Sequence, residues 1–124
     1  MTIEEIISAD EAERGIKPKR FCIYRNGEYV TFKIIDSELC IEKDLHKSQA
    51  MKILTAWIDG AESITISESP ILHMLLPATG RSYGDIGLST DNATRTFPLT
   101  GYGATLLFRW LQKLVDQIIE RDFQ

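Results

Sequence analysis

Nucleophilic and acid–base catalysis need a base held beside the group it activates, and this chain offers two histidines for that role, His46 and His73. His46 falls in the expected first turn of a helix, where an imidazole faces water. His73 lies inside the apolar run 71–77, a setting that suits a hydrogen-bonded structural residue better than a general base. The G-x-S-x-G spacing around Ser82, Gly80 to Gly84, falls in a segment that reads as loop and hairpin and not as the strand-to-helix turn of a nucleophile elbow. The acid pairs Glu4/Glu5 and Asp10/Glu11 occur where helix N-termini favour negative charge, which accounts for them without chemistry. Cys22 and Cys40 lack the CxxC or Cys/His spacing of a zinc site, so reduced structural thiols are expected. These residues give no catalytic constellation, and the expectation is a protein that is not an enzyme, with no metal and no cofactor.

The glycine-rich segment 80–85, Gly80-Arg81-Ser82-Tyr83-Gly84-Asp85, could hold an anion, because glycines let backbone amides approach phosphate and Arg81 adds a forked donor. These six residues resemble the pyrophosphate-binding loop of FAD-dependent oxidases of the vanillyl-alcohol oxidase type. That resemblance implies a flavin domain much larger than this chain, and the flanking residues do not extend it. A glycine-rich surface loop explains the same residues.

Binding chemistry is the other possibility, and it depends on which elements carry the aromatic and basic residues. The 124 residues, 44% hydrophobic and 26% charged, describe one ordinary domain able to bury its own core. Eighteen acids against fourteen bases give a net charge of -4, and a pI near 5.2 argues against broad charge-driven binding to nucleic acid or anionic membrane. No basic region followed by an apolar stretch opens the chain and no apolar run approaches the roughly 20 residues of a membrane span, so a cytosolic protein is expected.

Thr2 and Glu5 have capping-box spacing and Ile3, Ile6 and Ile7 share a helical face, which predicts a short N-terminal helix; Ser8 and Glu11 repeat the box. Gly15 and Pro18 then lead into a basic stretch, Lys17, Lys19 and Arg20. From Phe21 the apolar period becomes two. Asn26-Gly27 predicts a hairpin with Arg25 opposite Glu28, Phe21 opposite Phe32 and Ile23 opposite Val30. A second tight turn at Asp36-Ser37 brings Leu39 beside Ile34 and Ile41 beside Phe32, giving a three-stranded meander. Its other face carries Arg20, Cys22 and Tyr24 together with Tyr29, Thr31 and Lys33.

Asp44 is placed to cap a helix with apolar residues Ala50, Ile53, Leu54, Trp57 and Ile58, ended by Gly60. Segment 63–67 reads as a strand and 71–76 as a strand in preference to a helix. Asp91-Asn92 turns a hairpin between 86–90 and 93–99. Leu107, Leu111, Leu114, Val115 and Ile118 mark the core face of a long last helix, with Leu106, Phe108, Trp110 and Ile119 widening its apolar arc. No internal repeat is visible. The expected fold is α+β: an antiparallel sheet, made of the meander plus additional strands, packed by a central helix and a long C-terminal helix. Residues 1–19 form an N-terminal helix or arm, and residues 20–124 form a single domain.

In element order, size and acidity this plan resembles the small secretion chaperones of the type III class, acidic α+β dimers that bind extended segments of a partner. Colicin-type immunity proteins and phage-encoded inhibitors share the size and acidity. The reading that follows is a stoichiometric protein binder, a possible homodimer, acting as chaperone, inhibitor or immunity-like adaptor on an unidentified protein through Tyr24, Tyr29, Phe108 and Trp110. The alternative is a single-stranded nucleic-acid or nucleotide binder using Arg20, Tyr24, Tyr29 and Lys33 on the sheet face, or the Arg81 loop.

Overall fold

The structure is a computed structural model that describes residues 4–7, 20–36, 39–77 and 83–122, with side chains from residue 20 onward except at 83, 121 and 122. Lys17, Lys19, the Ser8/Glu11 capping box, the 37–38 turn, the loop around Arg81 and Phe123 lie outside the described residues. The α+β class is borne out: among the described residues there are eight antiparallel strands and two helices, and one arrangement, four strands then a helix, occurs twice in chain order.

The first unit comprises β1 (Glu4–Ile7), β2 (Arg20–Asn26), β3 (Tyr29–Asp36), β4 (Leu39–His46) and helix α1 (Lys47–Ile58). The strands lie in sequence order. Here the N-terminal helix expected from the capping box is overturned, because Glu4–Ile7 pairs antiparallel with β2, setting Ile6 opposite Phe21. A helix of so few residues is marginal in isolation, whereas β-branched isoleucines beside an open strand edge gain a ladder of backbone hydrogen bonds. Residues 4–7 of the N-terminal arm are therefore part of the sheet.

The meander exists, but both registers differ from expectation by two residues. Asn26 pairs with Tyr29 and Phe21 with Ile34, so the hairpin loop is Gly27-Glu28, with Gly27 at φ 63° as the first loop residue. In the next hairpin Asp36 pairs with Leu39 and Ile34 with Ile41. A shift of two preserves the side of the sheet on which every residue falls, so the faces stand as expected although the partners change.

Helix α1 starts two residues later than Asp44 would place it. His46 is its N-cap, with Nδ1 accepting from the Ser48 amide at 3.3 Å and the Gln49 side chain accepting from the His46 amide at 3.1 Å. Asp44 instead belongs to β4 and accepts a hydrogen bond from the Thr31 hydroxyl at 2.6 Å. The C-terminus closes as a Schellman motif, Gly60 donating to Trp57 and Ala61 to Ala56.

The second unit comprises β5 (Ser63–Ile66), β6 (Ile71–Leu75), β7 (Tyr83–Ser89), β8 (Thr94–Thr100) and helix α2 (Gly101–Asp122). Segment 71–75 is a strand, as expected, and Asp91-Asn92 lies in the turn joining β7 to β8, where Thr90 donates to Ala93 at 2.8 Å. The Thr100 hydroxyl caps α2 by accepting from the Gly103 amide at 3.0 Å.

One core joins both units. β3 packs on β8, β4 on β7, α1 on α2, and α2 also reaches β2 and β3. The inner faces contribute Phe21, Ile23, Phe32 and Ile34 from the first sheet and Leu72, Met74, Ile86, Leu88 and Phe97 from the second. Phe21 bridges them, meeting Phe32 edge-on at 5.4 Å and Phe97 at 5.9 Å. Because each sheet commits one face to this core, the other faces point away from it, although on the first sheet Cys22 and Thr31 of that face are buried.

Candidate nucleic-acid interface

The outer face of the first sheet is read directly from its register. Its rows across β2, β3 and β4 are Arg20–Ile35–Cys40, Cys22–Lys33–Glu42, Tyr24–Thr31–Asp44 and Asn26–Tyr29–His46. Strand alternation thus brings Arg20, Tyr24, Tyr29 and Lys33 onto one face, as the sequence predicts. It adds His46, which sequence reading missed as a face residue because the helix was expected to begin before it. Tyr29 is 44% exposed and its ring meets the His46 ring edge-on at 6.1 Å.

The charges on this face are nearly balanced. Lys33 Nζ lies 3.4 Å from the Glu42 carboxylate, and the hydrogen bond to Glu42 holds its ammonium above the ordinary range. Asp44 is oriented by Thr31. Burial, then the neighbouring Glu42 carboxylate, raise the Tyr24 phenol, which therefore remains a neutral aromatic surface at physiological pH. The arrangement provides aromatic platforms with a limited electrostatic pull on phosphate.

The outer face of the second sheet is different in kind. Thr65, His73, Gly87 and Thr96 form one row across it, and Ser89 and Thr94 another pair, so hydroxyls dominate. His73 is exposed there, its Nδ1 2.9 Å from the Thr65 hydroxyl.

The helix residues expected to meet a partner separate into two cases. Phe108 is only 1% exposed and stacks on Trp57 at 4.4 Å, so it is a core residue and that expectation is corrected. The reason is the number of elements α2 touches, which widens its buried arc. Trp110 is half-buried, with the Lys113 ammonium 5.0 Å above its ring. The exposed apolar side chains of the helices are Met51, Trp57, Ile58 and Tyr102, the last 76% exposed. Cys22 is buried and Cys40 exposed, and no disulfide joins them.

A cavity of about 380 Å³ beside β4 is lined by Glu42, Lys43, Asp44, Glu68, Ser69 and Pro70. Lys43 points to the core side of β4, is 4% exposed, and donates to the Glu68 carbonyl at 2.7 Å. Burial lowers its ammonium below the ordinary 10.5, the Glu68 charge opposing this. Between the lowered value and 10.5 the unfolded chain binds more protons than the folded one, so stability rises with pH through that window. Urea titrations from about pH 8 to about pH 10 should therefore show a rise for the wild type relative to Lys43→Met, and parallel profiles would refute this account of Lys43. Among the described residues no group of His, Cys, Asp and Glu is arranged to hold a metal ion, and no helix is long and apolar enough to cross a membrane.

The class these observations define, over the described residues, is two successive four-strand-plus-helix units around a shared core. No protein-family model and no curated protein matches the chain. Among solved structures it is similar to the MRP1/MRP2 structure from Trypanosoma brucei, with a TM-score of 0.63 at 9% identity over 98% of this chain and 85% of that one. At that identity the likeness is one of fold alone.

Proposed function

We propose that the protein binds single-stranded nucleic acid on the outer face of its first sheet. The observation that carries this reading is the grouping of Tyr24, Tyr29 and His46 with Arg20 and Lys33 on one exterior sheet face. Nucleobases stack on the aromatic rings, and the two cationic side chains contact phosphates. With Arg20 and Lys33 as the cations among the described residues of the face, binding there neutralises about two phosphates, so the slope of log K against log salt is shallow, about −1.4. Stacking supplies most of the affinity, which is how an acidic chain can bind a polyanion.

The test follows from the Lys33–Glu42 pair. Glu42→Gln releases the Lys33 ammonium and removes a negative charge from the path of the strand. In anisotropy titrations with a fluorescein-labelled 15-mer oligothymidylate, Glu42→Gln should bind several-fold tighter than the wild type and show a slightly steeper salt slope. Equal or weaker binding by the variant would oppose the reading.

A second reading, stoichiometric binding to a protein, is favoured by a separate observation. Met51, Trp57, Ile58 and Tyr102 put exposed apolar surface on the two helices, away from the sheet face. Under this reading the helical layer is the association surface, and roles as chaperone, inhibitor or homodimer belong to it.

A further inference from the structure

We infer that α2 pairs antiparallel with α2 of a second copy of this chain about a two-fold axis. The inference deepens the second reading by naming the partner, and rests on it. Its basis is the order of charges along the exposed face of α2: Arg109 and Lys113, then Asp116 and Glu120, all exposed. At about 100° per residue these four fall within one narrow stripe opposite the buried residues Leu107, Leu111 and Ile118.

Within one chain this order is unfavourable. Arg109 and Lys113 are like charges at i,i+4, and so are Asp116 and Glu120. The opposite charges in the middle are not spent on each other, since the Lys113 ammonium lies over Trp110 and Asp116 accepts from the Gln112 amide at 2.9 Å. Among the described residues neither Arg109 nor Glu120 takes part in an ion pair.

Two-fold antiparallel pairing resolves the pattern. An axis midway between Leu114 and Val115 sets Arg109 opposite Glu120 of the second copy and Lys113 opposite its Asp116, both pairs sharing one centre. Each pair then occurs twice by symmetry, as an isologous contact requires. Ion pairs on an open seam fix orientation and register more than affinity. Burial comes from Leu106 and Trp110, both half-buried and i,i+4 apart beside the stripe.

The test uses three proteins and light scattering after size exclusion at about 100 µM in low salt. The wild type should run at twice its 14.1 kDa. The acidic-helix variant Arg109→Glu/Lys113→Glu and the basic-helix variant Asp116→Lys/Glu120→Lys should each run as monomers with wild-type circular dichroism, and an equimolar mixture should restore the dimer. A dimeric wild type whose two variants also remain dimeric alone overturns this register while leaving self-association standing. A monomeric wild type overturns the pairing and, with it, self-association through the helical layer.

Discussion

Replacing both Tyr24 and Tyr29 by alanine should weaken binding of a 15-mer oligothymidylate by about 30-fold or more, because each stacked base lost costs about 1–3 kcal/mol. The two rings stand on adjacent strands in neighbouring rows of the outer face, so one strand of nucleic acid crossing the sheet meets both. Neither ring belongs to the shared core, and the fold should survive their loss, with a melting curve as the control. Tyr24→Phe/Tyr29→Phe keeps the aromatic surface and should bind within about threefold of the wild type, as stacking does not need the phenol oxygen. The alanine pair and the phenylalanine pair binding alike would separate the affinity from stacking and remove the basis of the interface.

The second large effect concerns stability at a glycine that sequence reading connected with phosphate. A Cβ added at Gly84 would lie 1.8 Å from the Leu75 carbonyl oxygen and 2.8 Å from its carbon. Backbone cannot yield as a side chain can. Gly84→Ala must therefore separate β6 from β7 where Leu75 pairs with Asp85, and should cost about 2 kcal/mol or more in urea unfolding. Gly87, three residues along the same strand, makes the contrast. Its added Cβ would meet nothing nearer than the Thr96 methyl at 3.7 Å, so Gly87→Ala should stay within about 0.5 kcal/mol of the wild type. Equal stability of the two variants would refute the close approach at Gly84. Gly84 thus has a reason in strand packing that needs no anion.

This contrast also indicates how far the sequence was legible. Period-two alternation located β2, β3 and β4 and assigned each residue to its face, so the grouping of Arg20, Tyr24, Tyr29 and Lys33 follows from alternation alone. The exact strand partners do not, because Asn26-Gly27 and Gly27-Glu28 are both admissible loops and differ by two in register. Element ends were hidden where one residue serves two structures: His46 ends β4 and caps α1, which displaced the expected cap to Asp44 and concealed the imidazole on the face. The N-terminal isoleucines satisfy a helical pattern and a strand pattern at once, and only the free edge of β2 decides between them. Phe108 was misassigned because periodicity gives the direction of the buried arc of α2 and not its width, which Trp57 and the neighbouring strands set. The repeated unit left no trace in the residues, since two sheets of one topology need only share alternation.

Two features of the molecule are separable in experiment. The sheet face and the exposed stripe of α2 share no residue, so charge reversal at Arg109 and Lys113 should leave oligonucleotide affinity per chain unchanged in a short-oligomer titration. A paired α2 would bring two sheet faces into one particle, which raises the apparent affinity for long strands through effective concentration without adding a contact.

The most direct test of the interface is an amide chemical-shift titration of the 15N-labelled protein with a short oligothymidylate in low salt. The account predicts shifts concentrated on β2, β3 and β4 at Arg20, Tyr24, Tyr29, Lys33 and His46, with the hydroxyl-rich row of Thr65, His73 and Thr96 unmoved. No shifts at millimolar oligonucleotide, or shifts confined to the second sheet or the helices, would contradict it.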